Sequence, residues 1–264
     1  MVAAMAARTT NVQFMIAALI APFYDPLRLA EDLVVVDNLS NGRVTLIVAG
    51  GYVRSEFEMF DVAMSERVNR VTEVVETLKA AFSGRSFEYR SRQVEVTPAP
   101  CRPGGPTILL GGSSEGAARR AARIADGFIP SVPAVWDFYR DELMRVGGSD
   151  PGACPVETNQ VVALAKDPEQ GWEQMAPFFL HDMNAYGAWQ AETSLESPYH
   201  SVHDTEELAA TGQYRVVSPE QLVDEQKDSP TALLHLHPFC GGMPIELAWS
   251  SLRLFEEEVL PALD

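Results

Sequence analysis

A glycine- and serine-rich segment, Gly111-Gly112-Ser113-Ser114-Glu115, stands between a short apolar run and an alanine-rich stretch of helical composition. Glycines let a ligand approach the backbone, Ser114 can cap the helix, and the free N–H groups of a helix start favour an anion. These residues therefore predict a phosphate-binding turn. A tight strand-to-helix turn with a capping serine explains the same residues equally well. The chain has neither G-x-G-x-x-G nor G-K-[ST], so it predicts no Rossmann dinucleotide site and no P-loop.

A second small-residue segment, Gly50-Gly51-Tyr52, follows an apolar run at residues 43–49. Two glycines at the carboxyl end of a parallel strand leave room for a planar ligand beside that strand. The same pair is also typical of a β-bulge, and the residues alone leave both interpretations open.

His237 is the candidate for proton transfer or substrate contact. His235 and His237 alternate around Leu236 on a predicted last strand, so both side chains point to one face. An imidazole titrates near neutral pH, which suits His237 to such a role. A structural histidine, hydrogen-bonded within the fold, is the alternative.

Charge and cysteine content limit the classes of partner. The chain of 264 residues has 20 Lys and Arg against 37 Asp and Glu, a net charge of −17. Such a field repels nucleic acids and anionic membranes.

The apolar run at residues 14–21 is too short to span a bilayer. The cysteines predict neither a disulfide framework nor a metal site, and they indicate a cytoplasmic protein: Cys101, Cys154 and Cys240.

Strand-like and helix-like segments alternate along the chain, which is typical of a parallel sheet with crossover helices. One helix is predicted to begin at Asp25-Pro26 and to end at Asn41-Gly42. We expect one domain over residues 1–264, with a helical insertion at about 168–228. The six predicted strands are residues 12–18, 43–49, 107–110, 128–130, 156–165 and 231–236. A complete (β/α)₈ barrel has eight.

Several segments together resemble the luciferase-like monooxygenase family of flavin-dependent barrel enzymes. They are spread over nearly the whole chain, and their order and spacing match that family. The segments are Ala4-Met5-Ala6-Ala7-Arg8-Thr9-Thr10, Leu29-Ala30-Glu31-Asp32, Leu39-Ser40-Asn41-Gly42-Arg43, Gly50-Gly51-Tyr52-Val53-Arg54-Ser55-Glu56-Phe57, Leu110-Gly111-Gly112-Ser113-Ser114, Ala122-Arg123-Ile124-Ala125-Asp126-Gly127-Phe128 and Ala248-Trp249-Ser250-Ser251-Leu252-Arg253-Leu254-Phe255.

The resemblance implies a TIM-barrel-like (β/α)₈ fold that binds FMN or coenzyme F420. The segment 111–115 matches the turn that holds the flavin phosphate, and Gly50, Gly51 and Tyr52 match a strand end near the ring or the phosphate. Some family members carry arginine where this chain has Gly50. The resemblance also implies a homodimer formed through the helix at residues 26–39. Two βα units that precede residues 4–10 in the family have no counterpart here, which implies a barrel truncated to six strands.

The leading hypothesis is a flavin- or F420-dependent oxidoreductase of monooxygenase type that acts on a small organic substrate. Tyr186 and Trp189 of the insertion are expected to enclose that substrate. The alternative is a non-catalytic or vestigial subunit that binds no cofactor, and a third hypothesis is a barrel for another phosphorylated ligand. Without the two units, residues 12–18 and 231–236 are expected to be edges of an open six-stranded sheet that aggregates or recruits a partner.

Overall fold

A computed structural model describes residues 1–155, 160–193, 197–230 and 232–263. The chain divides into two compact units, Met1–Val156 and Glu157–Asp264, and each has its own buried apolar core. The expectation of a single domain therefore stays a prediction. Within the described residues, no helix combines the length and the apolar character that crossing a bilayer requires.

The first unit alternates parallel strands with helices and carries one small antiparallel hairpin. Its elements are α1 Val2–Ala6, β1 Phe14–Ile20, α2 Pro26–Ser40, β2 Val44–Ala49, α3 Arg54–Met59, α4 Arg67–Phe82, β3 Phe87–Tyr89, β4 Arg92–Val94, β5 Thr107–Gly112, α5 Glu115–Ile124, β6 Gly127–Pro130 and α6 Trp136–Arg145. The first four predicted parallel strands are confirmed, with ends shifted by one or two residues.

Four parallel strands form the sheet of this unit in the order β1-β2-β5-β6. Phe14 pairs with Val44, and Val48 pairs with Leu110. The central strand β2 is almost wholly buried, as a strand covered on both faces should be. Strand β1 is an edge of this sheet, and its Met15 is 59% exposed.

Helix α2 begins and ends at the predicted residues because local side chains fix both ends. The carboxylate of Asp25 accepts hydrogen bonds from the N–H groups of Leu27 and Arg28, and Pro26 occupies the first helical position. At the other end Asn41 adopts a left-handed conformation (φ 56°).

The buried side chain of Arg43 fastens the segment that precedes β1. Its guanidinium donates to the carbonyl oxygens of Ala6, Thr9, Val12 and Ser40 and to the hydroxyl of Thr9, at 2.5–3.0 Å. It also lies 5.0 Å from the centre of the Phe14 ring. These contacts satisfy the donors of a side chain that is 8% exposed.

The connection from β4 to β5 is held against helix α2. The N–H of Cys101 donates to Asp37 Oδ2 at 2.9 Å, and Asn38 Nδ2 donates to the carbonyl of Ala99 at 3.0 Å. The Arg102 side chain lies so close to Gly42 that a Cβ there would be 2.7 Å from its Cδ. The loop is thus part of the packed structure.

A carboxylate with arginine partners joins α5 to α6. Glu142, on α6, is 2% exposed, and it accepts from Arg123 at 2.5 Å and from Arg145 at 2.6 and 2.9 Å. The hydrogen bonds from Arg145 and Arg123 lower the pKa of Glu142 to about 2.

The second unit contains a parallel strand pair enclosed by helices. Its elements are β7 Val161–Leu164, α7 Pro168–Ala191, α8 Thr205–Thr211, β8 Tyr214–Val217, α9 Pro219–Asp228, α10 Ile245–Leu254, one π-helical turn Phe255–Val259 and α11 Leu260–Leu263. Val161 and Ala163 face one apolar cluster, and Val162 and Leu164 face another. Residues 156–159 of the predicted fifth strand lie outside the described residues.

Strand β8 was not predicted from the sequence. It lies inside the segment predicted as a helical insertion, and it pairs with β7 in parallel, Val161 opposite Tyr214. Helix α9 follows it, so this part of the segment forms a strand–helix unit.

The predicted strand at residues 231–236 is wrong for the described residues 232–236. They form a single bridge, between His235 and Val161, and Leu233 is 79% exposed. Pro230 and Pro238 flank the segment, and proline has no N–H to donate to a ladder. The expected six-stranded sheet is likewise wrong, because the described parallel strands form a sheet of four and a sheet of two.

Candidate functional site

Two loops leave the sheet of the first unit side by side. Strands β2 and β5 are neighbours, and Val48 on β2 pairs with Leu110 on β5. Because the strands are parallel, their carboxyl ends lie at the same edge. The segments 50–52 and 111–115 therefore lie at one edge, so the structure brings together all the residues predicted to hold a cofactor. Their role in binding stays a prediction.

The turn between β5 and α5 is compact. Strand β5 continues through Gly112, so the predicted turn begins two residues later than expected. A Cβ on Gly111 would lie 3.2 Å from Ile47 Cγ2, and one on Gly112 would lie 2.6 Å from the Cβ of Ala117. Ser114 is the N-cap, since its hydroxyl accepts from the N–H of Ala117 at 3.3 Å. The strand end thus touches the first turn of the helix.

The start of α5 offers donors to an anion. The N–H groups of Ala117 and Ala118 donate to the carbonyl of Ser114, whereas those of Glu115 and Gly116 precede the first intrahelical bond and face outward from the helix start. Nothing lies within 4 Å of a Cβ placed on Gly116. The Glu115 carboxylate is held by Arg119 Nε at 2.7 Å. Open space, free N–H groups and a neutralised carboxylate fit a phosphate.

Gly116 was missed by the sequence analysis. It is the second residue of α5, directly after the predicted turn. The N–H of the second residue of a helix has no partner within the helix, so an N-cap at Ser114 marks Gly116 as a possible donor.

Arginines make part of the surroundings of α5 positive. Burial, and then the neighbouring charges of Arg123 and Arg67, lower the pKa of Arg120. In the part of the chain that the structure describes, neither Arg67 nor Arg120 takes part in an ion pair. In a protein of net charge −17, this is a local excess of positive charge.

The loop after β2 is shaped by Gly51. Its φ is +72°, and a Cβ there would lie 2.8 Å from Ile20 Cγ2 and 3.1 Å from Phe57 Cε2. Gly50 differs, because its Cβ would make an ordinary contact of 3.7 Å with Val71. The backbone at Gly50 therefore accommodates a side chain, whereas the backbone at Gly51 does not.

Three aromatic residues that follow β1 and β2 were not predicted from the sequence as part of the site. The ring of Phe23 stacks on Phe60 at 4.5 Å and meets the edge of Phe57 at 4.9 Å, measured between ring centres. Phe60 is 53% exposed. Phe57 and Phe60 are spaced three apart on the segment after Gly51, which was an available signal of a shared face.

The remaining predicted residues belong to the second unit. His237 is exposed, and its ring lies 6.1 Å from that of His235 between centres. A ligand atom of His237 is within 4.8 Å of ligand atoms of Asp182 and Cys240. Tyr186 contacts Trp189 edge-on at 5.3 Å. That these side chains contact a substrate stays a prediction.

Comparison with known proteins decides the family. The profile described as luciferase-like monooxygenase matches residues 1–234. The chain belongs to the luciferase-like monooxygenase family. The resemblance seen in the sequence is therefore confirmed.

Relatives of this luciferase-like chain include enzymes of known cofactor. An FMNH₂-dependent dimethylsulfone monooxygenase of Pseudomonas fluorescens (strain Pf0-1) is 31% identical over 210 residues, 74% of this chain and 57% of that protein. The luciferase-like chain spans a little over half the length of curated relatives such as this one.

Solved structures establish the fold. The crystal structure of monooxygenase RslO1 from Streptomyces bottropensis superposes with a TM-score of 0.67 at 23% identity, over 100% of this chain and 82% of that one. An F420-dependent secondary alcohol dehydrogenase in complex with an F420–acetone adduct superposes with a TM-score of 0.63 at 14% identity, over 99% and 82%. The predicted TIM-barrel-like α/β fold class of this luciferase-like chain is confirmed.

Proposed function

We propose that this chain is a flavin- or F420-dependent oxidoreductase of monooxygenase type that acts on a small organic substrate. The observation that supports it most strongly is the start of α5, where Glu115 and Gly116 offer N–H groups next to open space. Family membership supplies the cofactor class.

Different residues of the chain have different roles in the proposed function. The segment 112–116 binds the phosphate through N–H groups and the helix dipole. Gly50, Gly51 and Tyr52 leave room for the ring at the adjacent strand end, and Phe60 offers an apolar face. When bound, FMN or F420 supplies the electron-transfer chemistry. The chain orients the cofactor, while His237, Tyr186 and Trp189 contact the substrate.

The first experiment is a titration of the purified chain with FMN and, separately, with F420, followed by cofactor fluorescence. Quenching that saturates with one of them supports the proposal and identifies the cofactor. A panel of other phosphorylated compounds tests the third hypothesis. Binding of none of these ligands contradicts the proposal and favours a vestigial subunit.

Ser114 allows a sharper experiment because two substitutions keep the cap. Asp and Asn both cap helices as well as Ser does, so Ser114→Asp and Ser114→Asn should fold alike. The aspartate repels a phosphate, and we expect it to weaken cofactor binding at least about tenfold, the effect of about 1.4 kcal/mol. Ser114→Asn is the matched control and should bind nearly as well as the wild type. Equal affinities for the two variants would contradict a phosphate at this turn.

We also propose that the chain forms a homodimer through α2. Val35 and Leu39 are 48% and 50% exposed, and they stand four residues apart on one face of that helix. Adjacent exposed apolar side chains on a helix are typical of an interface.

The cytoplasm is the location we propose. Cys101, Cys154 and Cys240 are all free thiols in the structure. Free thiols persist in a reducing compartment.

A further inference from the structure

We propose that Asp182, His237 and Cys240 form a binding site for a divalent transition-metal ion of the zinc class. One carboxylate oxygen, one imidazole nitrogen and one sulfur from these three residues all lie within 4.8 Å of one another. The site uses residues of the second unit alone, so it is independent of the proposed cofactor turn.

The backbone holds the donors in place. Asp182 belongs to helix α7, whereas His237 and Cys240 are two ends of a tight turn before α10, in which the N–H of Cys240 donates to the carbonyl of His237 at 3.1 Å. Gly241, with φ +58°, packs against α7 so closely that a Cβ would overlap the carbonyl group of Phe178. That contact is one helical turn before Asp182. The turn and the helix are therefore fixed against each other.

The chemical types of the three ligand atoms determine which metal ions the site can bind. Thiolate, imidazole and carboxylate are the three protein ligands of zinc, and magnesium and calcium do not take thiolates. At zinc bond lengths, ligand atoms in a tetrahedron are about 3.5 Å apart, so a metal must draw the observed atoms slightly together. His237 is exposed and free to make this movement.

A hydrogen bond from a residue that is not itself a ligand orients the carboxylate of Asp182. The hydroxyl of Tyr214 donates to Asp182 Oδ2 at 2.8 Å, an arrangement that fixes ligating carboxylates in metal proteins. Cys240 is fully buried. A thiol binds a metal as the thiolate, so formation of the metal–sulfur bond releases the thiol proton to solvent.

The sequence alone does not reveal this grouping. His237 and Cys240 have two residues between them, a spacing that short metal-binding turns share, but the third ligand comes from a distant helix. Without the packing of Gly241 on α7, nothing in the sequence brings Asp182 to that turn.

The experiment is cobalt substitution of the full chain. The protein is treated with a chelator, dialysed, and titrated with Co²⁺ while its absorption spectrum is recorded. A thiolate ligand produces a sulfur-to-cobalt charge-transfer band in the near ultraviolet, and we expect saturation at one cobalt per chain. Zinc added afterwards should displace the cobalt and abolish the band.

Variants separate this site from adventitious binding. Cys240→Ser should lose the band, and His237→Gln should weaken cobalt binding at least about tenfold, as loss of contacts around a metal does. His237 is exposed, so its variant keeps the fold even if Cys240→Ser does not. Cys101→Ser and His203→Gln are the matched controls, since both residues are exposed and outside the cluster. The proposal is overturned if no band forms, if His237→Gln leaves affinity unchanged, or if Cys101→Ser removes the band.

Discussion

Gly112 and Ala117 stand in direct contact, because a Cβ on Gly112 would lie 2.6 Å from the Cβ of Ala117. This distance is far below an ordinary carbon–carbon contact. Strand β5 can therefore run straight into helix α5 only with glycine at this position. The free N–H groups of Glu115 and Gly116 are placed at the sheet edge by that contact.

We predict opposite effects for two glycine-to-alanine substitutions at this turn. Gly112→Ala should lower the free energy of unfolding by about 1–3 kcal/mol, because the turn must open to admit the methyl group. Gly116→Ala meets open space, and it should leave stability unchanged or raise it by up to about 1 kcal/mol through helix propensity. Urea unfolding of both variants measures this. Equal destabilisation by the two would show that the contact at Gly112 is unimportant.

Arg43→Lys should destabilise the protein by about 2–4 kcal/mol. An ammonium group cannot replace the planar set of donors that reaches Ala6, Thr9, Val12 and Ser40, so buried carbonyl groups lose their partners. Arg8→Lys is the control, because Arg8 is exposed, and it should change stability by less than about 0.5 kcal/mol. Chemical unfolding measures the free energy of unfolding of each variant. A similar loss of stability in both variants would contradict the prediction.

Glu142 should make the free energy of unfolding depend on pH under acidic conditions. Its pKa in the folded protein is about 2, below its usual value of 4.5, so its contribution is complete above about 4.5. The contribution is lost as the pH falls from there through about 2. We expect the stability difference between the wild type and Glu142→Gln to be constant near neutral pH and to shrink over that range.

Asp141→Asn is the control for this measurement. Asp141 is the exposed neighbour of Glu142. Its substitution should give a small difference from the wild type at every pH. A stability difference for Glu142→Gln that does not shrink in acid would rule out the ion-paired carboxylate as its source.

Leu39→Glu should convert the proposed dimer to a monomer while the fold is kept. A carboxylate on the exposed face of α2 is costly in an apolar interface and harmless in water. The molecular mass from light scattering, with circular dichroism as the check on folding, measures the outcome. Glu31→Gln, on an exposed position of the same helix, should leave the mass unchanged. A wild-type chain that is itself a monomer at high concentration would contradict the α2 interface.

Local signals predicted the elements around the site well, and long-range contacts could not be predicted. Asp25, Asn41 and Ser114 act on backbone groups within a few residues, so the ends of α2 and the start of α5 were found from sequence. The alternating pattern at residues 232–236 predicted a strand, but pairing depends on a neighbour, and the structure provides a single bridge at His235. Strand β8 was not predicted because it has only four residues and lies between segments with helical periodicity. Asp182 reaches Cys240 only through tertiary packing.

The loop fastened to α2 has a consequence for hydrogen exchange. Cys101 is an exposed loop residue, and a loop amide open to water exchanges its proton quickly. Here the N–H of Cys101 donates to Asp37 Oδ2, and the carbonyl of Ala99 accepts from Asn38 Nδ2. The loop must therefore detach from the helix before the Cys101 amide can exchange, and the exchange rate of that amide reports on how often this local opening occurs.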